Sequence, residues 1–438
     1  MKWFFCLLFI LTTATYGAAQ PDDGVIDWRY NQHPLLKSRA AKARKATDFR
    51  KEGRDYLNTL RSGSGMIEFA PNSLLDTAAQ NHVNYLLCAN QFGHGENEND
   101  CPGEYTGDWP SDRITATGYN WTATGEDITA GSDTIQHAIY GLMSAIYHRF
   151  GFLTFKLNEI GIGYGGDSNY RYGTVYNFDM GNQGTVTDTE ERNPYVVLWP
   201  YNNFKNAQTS FDNSENPVPL PECRHYGIAG NPISVAFNER KSGSLSLDSF
   251  ELYNADNQKM TDVKVLDHTN DDHLDLREYV LFPMTSLELD SRYKAVFKYT
   301  EAGTEKTLVW QFHTRRYDYK RYNVTDGNTY DLIAGQTYIL HIKPADCTIP
   351  LNTFSYRYSG GKPDFERLGL DIMKIKISGD TTFSFPNSSS PQVTFTLHAA
   401  ATDNAIAPSS PDPDPAPAPG SGPHAAKILP AVQLLLHQ

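Results

Sequence analysis

The stretch QFGHGENENDC, residues 91–101, is the first place in the chain where residue types and spacing allow chemistry. His94 sits between two glycines, and an imidazole there can ligate a metal, move a proton near neutral pH or hydrogen-bond a ligand. Behind it Glu96, Glu98 and Asp100 offer oxygens at alternate positions, as a calcium loop does, but Cys101 stands where an EF-hand loop needs glycine. Taken alone, such an acidic, Asn-rich loop reads as a solvated turn. Ser144 and His148, four residues apart, would share a face of a continuous helix. No G-x-S-x-G elbow surrounds that serine and no third triad member is identifiable, which argues against a serine hydrolase. His82, one turn from Leu86 in NHVNYL, reads either as a cleft residue or as a hydrogen-bonded, partly buried histidine.

These residues must be positioned by elements legible in the pattern. HPLLKSRAAKARKATDFRKEGRDYLNTLRSGSG, from His33, is helix-rich and ends at a Gly/Ser break. A second amphipathic helix places Leu75, Ala78, Ala79, Val83, Leu86 and Leu87 at helical spacing. A third, SDTIQHAIYGLMSAIYHRFGFL, starts from Ser132 or Asp133 as its N-cap, with His137 and Arg149 serving packing and capping. The short apolar runs EIGIGYG, GTVYNFDM and YVVLWP then read as strands.

The chain as a whole bounds the answer. Its 438 residues call for two or three domains. A formal net charge of −13, with Lys and Arg scattered apart from KSRAAKARKATDFRK, argues against a nucleic-acid partner. Residues 1–19 read as a signal peptide cut after Ala19, so the mature protein is expected to be secreted, periplasmic or on the cell surface. Four cysteines then remain, Cys88, Cys101, Cys223 and Cys347, an even set that favours pairing in an oxidising compartment. Cys88 with Cys101 is the expected bridge, leaving Cys223 and Cys347, in different expected domains, as the residual pair.

Past Pro200 the composition shifts. Residues 201–229 are Pro/Asn-rich without period and read as an extended linker. ISVAF, SFELYN, VKVLD, YVLFP, YKAVFKY and TLVWQFHT follow at the spacing of a β-sandwich, and 230–315 is expected to be immunoglobulin-like. A second β-rich domain is expected over 316–400, from YDLI, TYILHI, FSYRY, MKIKI, TFSF and VTFTL. Residues 401–438 form a proline-rich tail whose last apolar piece is too short to cross a bilayer.

Four pieces between 33 and 200 carry a resemblance: FGH at 92–94, TGED at 124–127, SAIYHRF at 144–150 and NEIGIGYG at 158–165. In this order they resemble the bacterial branch of the CAP superfamily, the cysteine-rich secretory, antigen-5 and pathogenesis-related proteins. The resemblance implies an α-β-α sandwich with a central cleft, the whole chain being α+β with two β-sandwich-like domains after it. It also implies that His94, His148 and Glu126 face the cleft and can hold a divalent metal. Two imidazoles and a carboxylate suit zinc best and leave a fourth position for water. The chain departs from the eukaryotic branch at GLMSA, where Ser144 or a neighbour stands in place of a second glutamate; this weakens both a tight metal site and a general base.

Cleft residues are thus His82, His94, Glu126, Ser144 and His148, with Glu126 the candidate catalytic group. The expected function is an exported CAP-domain protein whose cleft binds a lipid, a peptide or a cell-envelope ligand with a divalent metal, without organic cofactor, while the β domains display it or bind a partner. A metal-assisted extracellular peptidase is the second reading, and an adhesin-like protein with an inert cleft is the third.

Overall fold

A computed structural model describes residues 46–351, 356–385, 393–409 and 427–430. The signal peptide, the start of the first expected helix, the first residues of FSYRY and most of the proline-rich tail lie outside the described residues. The described residues divide into two compact units, the first within 46–62, 66–143 and 148–193, the second within 63–65, 144–147 and from 194 onward.

In the first unit a four-stranded sheet is flanked by helices. Its strands are β1 (Ala70–Pro71), β2 (Ala123–Ala130), β3 (Glu159–Gly166) and β4 (Thr174–Asn182), in the order β1-β3-β4-β2. β1 runs parallel to β3; the other two pairings are antiparallel. The helices are α1 (Ala46–Gly63), α2 (Ser73–Ala89), α3 (Pro110–Ala116), α4 (Ile135–Ser144), α5 (Ile146–Phe152) and α6 (Val186–Arg192).

The glycines of EIGIGYG explain how α2 meets the sheet. A Cβ on Gly161 would lie 2.0 Å from the Asp76 nitrogen, and one on Gly163 would lie 2.3 Å from the Ala79 carbonyl oxygen. The α2 backbone therefore rests directly on β3, at a distance no larger residue permits. Alternate residues point the other way: Ile160 and Ile162 are buried, and the Phe49 ring of α1 packs 5.6 Å from Tyr164. Period-2 alternation thus splits one strand between two helical layers. α2 is sharply bounded, with Asn72 Oδ1 accepting from Leu74 N at 3.0 Å and Asn90 closing it in the left-handed region at φ 53°.

The third expected helix is two helices. α4 ends at Ser144, and α5 begins at Ile146. Within the second unit, Glu215 caps the new start, accepting from Ile146 N at 2.8 Å and Tyr147 N at 2.7 Å. The cap of α4 is Thr134, whose Oγ1 accepts from His137 N at 3.2 Å; it is neither Ser132 nor Asp133. The Asp133 carboxylate instead meets His137 Nδ1 at 2.6 Å. Arg149, fully buried, donates to the Met143 carbonyl at 2.7 Å and so satisfies the end of α4.

The second unit carries two stacks of β-sheet. In the first, strands 263–267, 278–283, 233–237 and 196–199 form one sheet, and strands 245–253, 292–301, 304–313 and 427–430 form another. Phe237, Phe250, Tyr279, Phe297 and Trp310 fill the core they share. YVVLWP, expected as a strand of the first domain, pairs here with residues 234–237. The 201–229 stretch, expected to be an extended linker, buries Ala207, Phe211, Leu220 and Ile228 and pairs 210–212 with 228–230. Its apolar residues are spaced by prolines and asparagines, which hides a packed segment behind a loop-like composition. Of the tail, Lys427–Pro430 adds an antiparallel strand alongside Lys306–Val309.

The second stack pairs a sheet of strands 320–324, 337–342, 372–376 and 364–367 with one of strands 329–333, 393–400, 381–385 and 357–360. A disulfide joins Cys223 to Cys347, so the residual pair does form. Nearby, Asp371 accepts from Ser210 Oγ at 2.9 Å and meets His341 Nε2 at 3.1 Å, all three buried.

The α2–β3 contact gives a direct test. Gly163→Ala should destabilise the first unit by roughly 3 kcal/mol or lose its fold, because backbone faces the new methyl and cannot yield. Gly141→Ala on α4, with nothing within 4 Å of the added Cβ, should be neutral or stabilise by up to about 1 kcal/mol. Urea midpoints of the two variants check the pair.

Candidate functional site

The site forms on the sheet face that α2 covers. Glu126 on β2 lies opposite Asp179 on β4, which in turn lies opposite Gly161 on β3. Directly paired residues share a face, so the register stacks both carboxyl groups under α2 and the loop that follows it. That loop, residues 90–109, is fastened by the Cys88–Cys101 disulfide. It is closed by a hydrogen bond from Glu96 N to the Asp108 carbonyl at 2.9 Å.

Arg113 of α3 organises the interior. Its guanidinium is fully buried; Nη2 donates to Glu126 Oε2 at 2.7 Å and Nη1 to the His94 carbonyl at 3.0 Å. Nε lies 3.6 Å from Glu96 Oε1. Asn177 Nδ2 also donates to Glu126 Oε2, at 3.0 Å. The other Glu126 oxygen meets His94 Nδ1 at 2.8 Å. The Glu126 side chain is 1 % exposed and that of His94 33 %, so the ring is fixed from behind and open in front.

Burial alone would push the Glu126 carboxyl up, but the Arg113 guanidinium beside it, the nearby His82 and the His94 contact hold it well below the ordinary carboxylate range. Asp179 moves oppositely. Its complete burial and the Glu126 charge push its carboxyl well above the usual range, against a smaller pull from Arg113. The two acids of this facing pair are thus shifted in opposite directions, which eases the repulsion of two like charges in register.

His82 is fully buried inside the same lobe and faces no open cleft. Nδ1 lies 2.9 Å from Glu96 Oε1 and Nε2 lies 2.9 Å from the Gly93 carbonyl. Glu96 Oε2 accepts from Thr106 N at 2.8 Å. The acidic run, expected to be a solvated lip, is therefore split: Glu98 and Asp100 are exposed, while Glu96 is an internal anchor. Ser144 is buried in the second unit with its Oγ 3.4 Å from the Ser210 carbonyl. The helix break removes the shared face expected for Ser144 and His148. His148 is half-buried on α5.

The residues present do not fit a His94, Glu126 and His148 metal centre. Among the described residues no three His, Cys, Asp or Glu side chains lie close enough to share an ion. Both Glu126 oxygens already accept hydrogen bonds, one from a guanidinium. His94 keeps Nε2 on its exposed side, and the same 90–109 loop exposes two aromatic rings. Phe92, 42 % exposed, packs 5.4 Å from Tyr172, and Trp109, 44 % exposed, lies beside Gly95. Sequence reasoning missed Arg113, Asn177 and Asp179. The alternation of β4 about Phe178 was the one available signal for the last two.

Residues 54–178 match the family model described as "CAP: Cysteine-rich secretory protein family". Among solved structures, an extracellular protein containing an SCP domain from Bacillus anthracis is 19% identical, over 31% of this chain and 41% of that one, with a TM-score of 0.26. This chain thus spans less than half the length of that protein. An outer surface protein of Borrelia burgdorferi is 13% identical over 31% of this chain and 92% of its own, with a TM-score of 0.27. Venom allergen-like protein 4 of Schistosoma mansoni is 12% identical over 31% and 90%, with a TM-score of 0.22. No curated protein matches the chain.

The opposed shifts of the acid pair predict a pH signature. A carboxyl raised in the folded state contributes stability at low pH that is lost as pH rises above its unfolded value, near 3.8. Asp179→Asn should therefore be more stable than wild type at pH 7, with the advantage shrinking toward pH 4. Glu126 has the reverse sign, its contribution being present above about 4.5 and lost as pH falls below it. Glu126→Gln should accordingly destabilise at pH 7 by roughly 3 kcal/mol, since it leaves Arg113 buried without its closest charge. Thermal melts across pH 4–8 measure both.

Proposed function

With a CAP domain over residues 54–178 as the premise, we propose that the chain is an exported protein that binds a ligand at the His94 face of this domain, while the following β domains display it or engage a partner. The observation that carries the reading is His94, held through Nδ1 by a buried, ionised Glu126 and presented at 33 % exposure on a loop that also exposes Phe92 and Trp109. A pinned imidazole can donate or accept one hydrogen bond in a fixed direction, and Phe92 and Trp109 expose apolar area on the same loop. That combination suits a ligand with an apolar body and a polar group, a lipid or an apolar peptide segment.

Export is supported by two disulfides and by the leader-like residues 1–19. No helix among the described residues is long and apolar enough to cross a membrane. Binding is favoured over turnover because Glu126, the candidate base, is saturated by donors and held strongly acidic, a poor proton acceptor near pH 7. No step of the proposal runs through a metal.

The test is a histidine-selective NMR titration of the full chain with three probes added separately: phosphatidylcholine vesicles containing cholesterol, an apolar decapeptide and zinc. Vesicles or peptide should shift the His94 resonance, and Trp109→Ala should weaken that response roughly tenfold. Silence toward both favours the inert-cleft reading. Stoichiometric zinc binding lost in both His94→Ala and His148→Ala would overturn the assignment of Glu126 to Arg113 and restore the metal centre.

A further inference from the structure

We propose that Asn120 is an N-glycosylation site, an inference that rests on the export reading. Asn120-Trp121-Thr122 is an Asn-x-Thr acceptor triplet on the turn between α3 and β2. The turn begins at Gly118, whose φ of 86° suits glycine. Both neighbours of Asn120 are tied inward. Tyr119 is buried and donates to Glu159 Oε2 at 2.6 Å, and Trp121 Nε1 donates to Thr115 Oγ1 at 2.9 Å. The asparagine between them is exposed.

Two other triplets show what an acceptor needs. Asn323-Val324-Thr325 lies at the end of a strand, where Asn323 is half-buried and its Nδ2 donates to Glu288 Oε2 at 2.7 Å. A glycan there would remove that donor and enter packed space. Asn387-Ser388-Ser389 lies outside the described residues. Asn120 alone among the described acceptors combines exposure with room for a bulky polar chain.

The reaction is a glycosyl transfer from a lipid-pyrophosphate-linked oligosaccharide, supplied with its transferase by a secretory compartment. The Asn120 amide nitrogen forms a bond to the sugar C1, the bond from C1 to the pyrophosphate oxygen breaks, the amide loses one proton, and the lipid pyrophosphate leaves with the electron pair. The glycan would stand clear of the binding face. Thr122 lies four residues before Glu126 on the same strand direction, about 13 Å along it. It donates to the carbonyls of Asn182 and Gly184, just beyond the end of the sheet where Ala123 pairs with Asn182.

The full chain is expressed in insect cells twice, once with its own N-terminus and once as residues 20–438 behind a standard secretory leader. In the secreted protein the peptide holding Asn120 should carry a hexosamine-based glycan on most copies, and enzymatic deglycosylation should leave aspartate at position 120. Asn120→Gln should abolish this modification without reducing secretion by more than about half, since the residue is exposed. An unmodified Asn120 in protein secreted from the second form overturns the inference. Retention of the first form inside the cell counts against the export reading, and the second form still decides the glycan.

Discussion

The ion pair between Arg113 and Glu126 is the constraint on which the site rests. A guanidinium with no exposed surface must find carboxylates or carry a desolvation cost of several kcal/mol, and here Nη2 and Nε reach acids from two different elements. Nη1 takes the His94 carbonyl at the same time. One side chain on a short helix thereby fixes a strand, the loop after α2 and the histidine between them. Removing either charge takes from the other its closest partner in a dry interior.

That pairing depends on how closely α2 approaches the sheet. The glycines of β3 let the α2 backbone settle on the strand, which carries His82 and the loop that follows down onto the face holding Glu126 and Asp179. A residue with a side chain at Gly161 or Gly163 would lift α2, and the loop anchor from Glu96 to His82 would rise with it. Packing and electrostatics are here a single requirement: the helix must be close for the buried charges to find one another, and they hold the loop that hydrophobic contacts alone would leave free.

Much of this fold was legible in the residues, for reasons that differ by element. Leu75, Ala78, Ala79, Val83 and Leu86 declared α2 by period, and each is buried; the short β runs after 230 declared themselves by alternation and turn chemistry. Cys88 and Cys101 announced their bridge by flanking one loop. Arg113, Asn177 and Asp179 gave no comparable signal, because their roles follow from the register of β2 with β4 and from where α3 lands, both long-range facts. The break after Ser144 was hidden for the same reason: GLMSAIYHRF is continuous in helical pattern, and its cap, Glu215, lies some seventy residues on. Composition misled at 201–229, where prolines and asparagines interleave residues that pack.

The charge balance of the lobe limits what its exposed histidine can do. Glu126 is held ionised by Arg113, burial and the Glu126 charge push the Asp179 carboxyl up, and Glu96 is taken up by His82 and the Thr106 backbone. His82 itself faces an oxygen acceptor at each ring nitrogen, a carboxylate and a carbonyl, so both hydrogen bonds are made together only when both nitrogens carry protons. Glu126 and Glu96 thus already have their hydrogen-bond partners within the lobe. What reaches solvent is one imidazole edge, oriented by an acid that cannot let go of its guanidinium. An imidazole so held can make one further hydrogen bond, in a direction its acid has already set.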